Sequence, residues 1–301
     1  MIGEMPSQAN QPLPEGTVLQ KYRIRRVLAI GGFSFVYLAH DENEAPVAIK
    51  EYLPATLALR VNGDAHPQVA QEDLARFRGG MKCFFEEAGA IAHLEHPNVV
   101  RVLDFFRAND TVYLVMRYER GRSLHEHIRN RRGPLEELWV RNTFAQLLDG
   151  LREVHAHKLL HLDIKPANVY LRKDGSPVLI DYGAARQVLS AEGMKLPPTY
   201  TPGFAAPEMH ANREILGPWS DIYSVGATMY ACLAAAAPQP ANARLENDQV
   251  VPASRAFAGK YAPELLQIVD WCLELDHLRR PQSVLALQKT LLGEKPDHRP
   301  G

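Results

Sequence analysis

Two spacings of apolar residues divide this chain. Between Tyr22 and Tyr118 they fall in short β-branched or aromatic runs, Tyr22 to Leu28, Val36 to His40, Val47 to Tyr52, Val99 to Phe106 and Thr111 to Arg117, each read as a strand. One longer stretch, Gln71 to His93, reads as a helix among them. After Gly121 the spacing changes to three and four residues. Leu138, Leu147, Leu148, Leu151 and Val154 are assigned to one helical stripe, and comparable stripes run through 219–237, 263–275 and 282–292. The expected class is therefore α+β, with a strand-rich lobe holding one long helix ahead of a helical lobe. The expected divisions are a flexible leader at 1–16, a strand-rich lobe at 17–116, a hinge at 117–121, a helical lobe at 122–293 and a flexible tail at 294–301.

One hairpin can be read closely. Val169 to Leu171 and Val178 to Ile180 flank Arg172-Lys173-Asp174-Gly175-Ser176-Pro177, and Asp-Gly is a strong turn signal. Centring the turn on that dipeptide places Asn168 opposite Asp181, with their Cβ atoms about 5 Å apart. An amide oxygen and a carboxylate so placed suit magnesium, a cation that takes one or two carboxylates and fills its shell with water and phosphate. A polar hairpin mouth facing water is the alternative for this pair alone.

Composition removes several function classes. With 46% hydrophobic and 23% charged residues, the 301-residue chain has the balance of a folded protein. Its 34 basic and 35 acidic side chains leave a net charge of −1, so no overall field draws it to nucleic acid or to an anionic membrane. Cys83, Cys232 and Cys272 are odd in number and far apart, which argues against a disulfide framework or a thiolate zinc site and fits a reducing, cytoplasmic location. The longest apolar run, Val225 to Ala237, stops before Pro238, short of the roughly 20 residues that a membrane span needs. No signal-peptide pattern occupies Met1 to Pro14.

The chemistry gathers around the hairpin. His161-Leu162-Asp163-Ile164-Lys165-Pro166-Ala167-Asn168 resembles the catalytic loop of eukaryotic-type Ser/Thr protein kinases, and Asp181-Tyr182-Gly183 resembles their metal-binding tripeptide. The resemblance implies a bilobal protein-kinase-like fold. It also implies that Asp163 orients the attacking hydroxyl and accepts its proton, that Lys165 lies beside the transferred phosphoryl group, and that Asn168 and Asp181 hold the metal.

Further segments resemble the family in the order it requires, over about 17–293. Leu28-Ala29-Ile30-Gly31-Gly32-Phe33-Ser34-Phe35-Val36 is similar to the glycine-rich loop, with Ala29 and Ser34 in place of its first and third glycines. Ile30, Gly31 and Gly32 are the positions implied to approach the phosphates. Val47-Ala48-Ile49-Lys50 resembles the strand bearing the nucleotide-binding lysine, and Glu87 resembles its ionic partner. Glu86 points about 100° away on the same helix, so only one of the two can face Lys50. Tyr113 to Glu119 resembles the hinge strand, which implies Met116 at the back pocket and backbone contacts to adenine at Arg117 and Glu119. Val36, Ala48 and Tyr170 would sandwich the ring.

Tyr200 to Glu208 resembles the end of an activation segment, implying a Glu208–Arg280 ion pair. Asp221 resembles the buried aspartate that braces the catalytic loop. Leu162 stands where the family usually has an arginine that reads an activation-segment phosphate, so strict dependence on phosphorylation is not expected. Thr199 and Thr201 remain candidate phosphosites.

The resemblance thus implies a bacterial-type Ser/Thr protein kinase that uses ATP with Mg2+, or with Mn2+ in its place, and acts on protein hydroxyls. Autophosphorylation and a homodimer are compatible with it, as is origin in a larger membrane or multi-domain protein. The competing reading is a catalytically weak, nucleotide-binding pseudokinase scaffold, suggested by Ala29, Ser34 and Leu162. The stretch between Lys50 and Glu87, about twice the family length, is expected to add a loop or small hairpin before an extended helix.

Overall fold

The computed structural model describes residues 10–61, 63–181, 201–211 and 213–293. By internal packing the chain forms two compact units. The first takes residues 10–93 and Arg101–Tyr118, and the second takes Leu94–Val100 and the described residues from Glu119 onward.

In the first unit, strands β1 (Val18–Leu19), β2 (Tyr22–Ile30), β3 (Ser34–His40), β4 (Pro46–Tyr52), β5 (Val102–Ala108) and β6 (Thr111–Arg117) form one antiparallel sheet in the order β1-β2-β3-β4-β6-β5. Alternation sets its two faces. On β3, Phe35, Tyr37 and Ala39 are buried, whereas Val36 and Leu38 are half-buried. Helix α1 (Leu74–Ile91) follows a short 3-10 turn at Gln71–Asp73, and it buries Phe77, Phe84, Glu87, Ala88 and Ile91. Phe77 and Phe84 pack on the Tyr52 ring at 5.4 and 5.8 Å, so α1 covers the face of β4 that carries Lys50 and Tyr52.

The expected strand from Val99 to Phe106 is divided. Val100 N–H donates to the Leu179 carbonyl at 2.9 Å, inside the second unit, and β5 begins only at Val102. An apolar run does not reveal that its first residues pair with one sheet and its last with another. The expected leader also differs from Asn10 onward. Leu13 is buried, and its N–H donates to the Tyr37 hydroxyl at 3.1 Å.

The second unit is mainly helical: α2 (Leu124–Arg129), α3 (Glu137–Ala156), α4 (Pro207–Ala211), α5 (Pro218–Ala234), α6 (Ala241–Glu246), α7 (Ala253–Ala256), α8 (Pro263–Cys272) and α9 (Val284–Leu291). A three-stranded antiparallel sheet, β7 (Gly121–Ser123), β8 (Val169–Arg172) and β9 (Pro177–Leu179), joins them. Leu147, Leu148, Leu151 and Val154 are fully buried on α3, as expected, but Leu138 is 68% exposed. Nine residues separate Leu138 from Leu147, which at about 100° per residue is half a turn. Val140 and Phe144 complete the buried stripe instead.

The core helix α5 starts at Pro218, whose missing N–H is harmless in the first turn, and stops at Ala235 in the left-handed region with φ 60°. Burial pushes the Cys232 and Cys272 thiols each up to about 12, so both are inert core residues.

Candidate active site

The site is built on the β8–β9 hairpin and the loop before it. Gly175 takes φ +87°, its N–H donates to the Arg172 carbonyl at 2.9 Å, and Arg172 N–H donates to the Ser176 carbonyl at 3.0 Å. This is a three-residue loop with a left-handed glycine. The register is therefore Val169↔Leu179, Tyr170↔Val178 and Leu171↔Pro177. The expected pairing of Asn168 with Asp181 is one residue out: Ile180 donates its N–H to the Asn168 carbonyl at 2.9 Å. A two-residue turn centred on Asp-Gly leaves out Lys173, which shares the loop with it. Asp181 follows with φ 64°, so the strand ends just before it and the simple alternation of faces no longer applies.

Asp163 is surrounded by donors. Lys165 Nζ reaches its Oδ1 at 3.0 Å and its Oδ2 at 2.8 Å, and the Thr201 hydroxyl reaches Oδ1 at 3.1 Å. Asn168 Nδ2 donates to Asp163 Oδ2 at 2.8 Å and to its carbonyl at 2.9 Å. Lys165 Nζ also donates to Thr201 Oγ1 at 2.7 Å. Sequence reasoning placed Asp163, Lys165 and Asn168 together, and here they meet. Thr201, an expected phosphosite, has its hydroxyl engaged by both Asp163 and Lys165. Thr199, Tyr182 and Gly183 lie outside the described residues.

The loop is held from below. Leu162 is buried with φ 58°, a strained conformation for a branched side chain. Asp221, fully buried near the start of α5, accepts the Leu162 N–H at 2.7 Å and the His161 N–H at 2.9 Å, and contacts His155 Nε2 at 2.8 Å. Burial alone would raise its pKa, but the His155 hydrogen bond, both histidines and the backbone donor hold it below the usual carboxylate range. His161 is fully buried as well, and burial lowers its pKa despite the nearby Asp221, Asp163 and Asp181. It accepts the Asp163 N–H on Nδ1 at 3.3 Å and faces the Ile180 carbonyl, so one ring links the loop to the residue before Asp181.

The expected Glu208–Arg280 pair is present and buried, with Nη1–Oε1 at 2.8 Å and Nη2–Oε2 at 3.0 Å. Glu119 pairs with Arg172 through two hydrogen bonds at 2.7 and 2.9 Å, so its side chain is committed within its own unit.

In the first unit, strand register puts Val36 and Leu114 opposite Lys50, and Leu38 and Met116 opposite Ala48. Opposite residues share a face. Val36, Ala48, Lys50 and Met116 therefore line one face, on which Val36 and Ala48 are half-buried apolar residues. Lys50 Nζ lies 5.8 Å from the Phe84 ring. Glu87 is buried one turn beyond Phe84, whereas Glu86 is half exposed and lies 3.7 Å from Lys82. Glu87 is thus the acidic residue on the strand-facing side of α1. Arg117 N–H is taken by the Arg101 carbonyl at 2.9 Å, so a ligand contact there would use the Arg117 carbonyl. In the glycine-rich loop, Ile30 is exposed and Gly31 N–H donates to the Ser34 carbonyl at 2.9 Å.

The residues also suit a hard cation. With Nδ2 committed to Asp163, Asn168 has its amide oxygen left for a metal, and Asp181 adds a carboxylate. Among the described residues no group of three or more His, Cys, Asp or Glu could hold a metal, so water and phosphate oxygens would have to complete the shell. No helix among the described residues is long and apolar enough to cross a membrane.

Comparison with known proteins agrees with this geometry. The family model described as "Protein kinase domain" matches residues 22–292. The chain is similar to serine/threonine-protein kinase pkn2 of Myxococcus xanthus, 30% identical over 92% of this chain and 33% of that protein. It is also similar to serine/threonine-protein kinase D of Synechocystis, 28% identical over 91% of this chain and 52% of that protein. The chain thus spans from about a third to half the length of these relatives. Among solved structures, "PpkA-294 apo form" is 30% identical, covers 93% of this chain and 99% of its own, and superposes with a TM-score of 0.82. The Mycobacterium tuberculosis PknI kinase domain, 22% identical with a TM-score of 0.71, shares the fold. With the family's pattern running through both units, the chain belongs to the protein kinases, as a eukaryotic-like (Hanks-type) Ser/Thr kinase catalytic domain.

Proposed function

We propose that this domain transfers the γ-phosphoryl group of ATP to Ser or Thr hydroxyls of a protein substrate and to itself. Protein kinases generally use ATP and Mg2+. The observation that carries the reading is the Asp163 carboxylate, oriented by Lys165, Thr201 and Asn168 on a loop braced by a buried aspartate.

In this reading Asp163 accepts the hydroxyl proton while Lys165 neutralises charge on the moving phosphoryl group. Asn168 and Asp181 hold Mg2+, which when bound neutralises the phosphates. Lys50 binds the α- and β-phosphates and Glu87 orients it. Gly31 and Gly32 allow close backbone approach, while Val36, Ala48, Met116 and Tyr170 receive the adenine. The loose transition state of phosphoryl transfer asks chiefly for positioning and charge.

The Thr201 hydroxyl serves Asp163 in this scheme, which makes Thr199 the better placed of the two candidate phosphosites. Leu162 offers no cation for a phosphate there, so activity does not depend strictly on that modification. Labelled-phosphate incorporation by wild type and Asp163→Ala tests the function. Incorporation that is negligible and equal in both would favour the pseudokinase scaffold, and intact mass after incubation with ATP and Mg2+ locates the sites.

A further inference from the structure

The added stretch after Lys50 contains a cluster that the proposed chemistry does not use. Glu51 follows Lys50 on β4, so its side chain leaves the sheet on the opposite face, where it is fully buried. A buried carboxylate is costly unless its oxygens are met by donors. Here four meet it. Arg60 gives Nη1 to Oε2 at 2.9 Å and Nη2 to Oε1, while the Tyr37 and Tyr113 hydroxyls donate to Oε2 and Oε1, each at 2.7 Å.

Arg60, also fully buried, belongs to no strand or helix. Its main chain is clasped by the N-terminal segment. Arg60 N–H donates to Asn10 Oδ1 at 2.5 Å, Gln11 N–H donates to the Arg60 carbonyl at 3.1 Å, and Asn10 Nδ2 reaches the Ala58 carbonyl at 2.9 Å. Beside it, Leu59 and Gln68 exchange backbone hydrogen bonds at 2.9 and 2.8 Å.

The same turn reaches the glycine-rich loop at its other end. Leu53 N–H donates to the Phe33 carbonyl and Ala55 N–H to the Gly32 carbonyl, both at 2.9 Å, and the Pro54 carbonyl closes the turn on Leu57 and Ala58. One short run of backbone, 53–60, is therefore tied to the loop at one end and, through Arg60, to the back of the lysine-bearing strand at the other. Ala29 and Ser34 stand where the family has two of its glycines, and these ties fix the Gly32 and Phe33 carbonyls beside Gly31.

We propose that Arg60 is a positioning residue for nucleotide binding: by pinning the 53–60 turn, it holds the glycine-rich loop in the shape that receives the phosphates. This rests on the reading of residues 28–36 as the nucleotide loop. Asn10→Ala removes two of the clasp's three hydrogen bonds without stranding a charge, and Glu51→Gln combined with Arg60→Met removes both charges together. Binding of a fluorescent ADP analogue with Mg2+, ATP KM, kcat and the thermal midpoint are measured on each.

The expected result is a rise of about five-fold or more in ADP dissociation constant and ATP KM, with kcat within about two-fold and the Asn10→Ala midpoint nearly unchanged. Unchanged binding and KM in both variants, while Lys50→Met abolishes turnover, overturns the proposal and leaves the nucleotide-loop reading intact. Losses of kcat and affinity that only follow a falling midpoint overturn it too, reducing the cluster to scaffold. Wild type that binds no ADP, or Lys50→Met at full activity, overturns the reading itself.

Discussion

Among the described residues, each unit buries one glutamate against one arginine, and the two pairs are built differently. Arg280 donates to Glu208 and also to the backbone carbonyls of Trp219, Glu274 and Leu275, and its guanidinium lies 4.9 Å from the Tyr223 ring. Its surroundings are helix ends and fixed backbone. Arg60 spends its side-chain hydrogen bonds on Glu51, whose remaining acceptors go to two tyrosines, and its backbone is held by a segment far away in sequence. A buried pair adds little net stability over an apolar replacement, whereas losing one partner is severe. The contrast therefore lies in what each arginine organises: Arg280 closes a helical core, and Arg60 fastens loops to a sheet.

The largest effect should come from neither pair. Asp163→Asn is expected to lower phosphate incorporation by about 10²–10⁴-fold with an unchanged denaturation midpoint, which sets the scale of lost chemistry without lost scaffold. Next, Arg280→Met and Arg60→Met alone each strand a buried glutamate and should cost about 3–5 kcal/mol in urea unfolding. Arg280→Met should sit at the upper end, since three carbonyls lose their donor with it. Equal losses, followed by equal recovery when Glu208→Gln or Glu51→Gln is added, would break the contrast.

A smaller effect separates the units by pH. His161 has a lowered folded pKa, so below its unfolded value near 6.5 the unfolded chain takes up a proton that the folded one refuses. Stability should fall as pH drops below about 6.5, by up to roughly 1.4 kcal/mol per pH unit from this one group, down to its folded pKa. His161→Phe should remove that contribution to the slope. The sheet-side pair has no histidine in its hydrogen bonds and should contribute none. The smallest effect is Glu86→Gln, expected to shift stability by less than about 0.5 kcal/mol because the Lys82 contact is exposed. Glu87→Gln, on the buried side of α1, should reduce kcat at least about ten-fold.

The same contrast shows what could be read from the residues. Glu208, Arg280 and Asp221 were legible because they lie in strings whose order repeats a family pattern, and their contacts follow from it. Arg60 was not legible. An arginine in an irregular insertion is ordinarily solvated, and its neighbours Leu59 and Val61 carry no period. The available hint was Glu51 within an apolar strand, a charge that has to find a partner. Asn10 escaped for a similar reason, since polar residues near a terminus suggest looseness until their acceptors are known.

Register and phase account for the other misses. Lys173 lengthens the turn by one residue and shifts Ile180 into the place expected for Asp181. Leu138 faces solvent half a turn from the stripe that its spacing suggests. Strand runs, helix stripes and the residues converging on Asp163 survived both errors, since each depends on local spacing and not on a single pairing.

The segment Leu94–Val100 packs with the second unit although the first resumes at Arg101. During synthesis Val100 must wait for Leu179 to emerge before its N–H finds that carbonyl, while β5 and β6, made in between, can already complete their own sheet. The order of assembly is thus interleaved. A nascent chain that has emerged only as far as Arg117 would present a finished sheet interrupted by a segment with no dock, an early target for a protease or a chaperone.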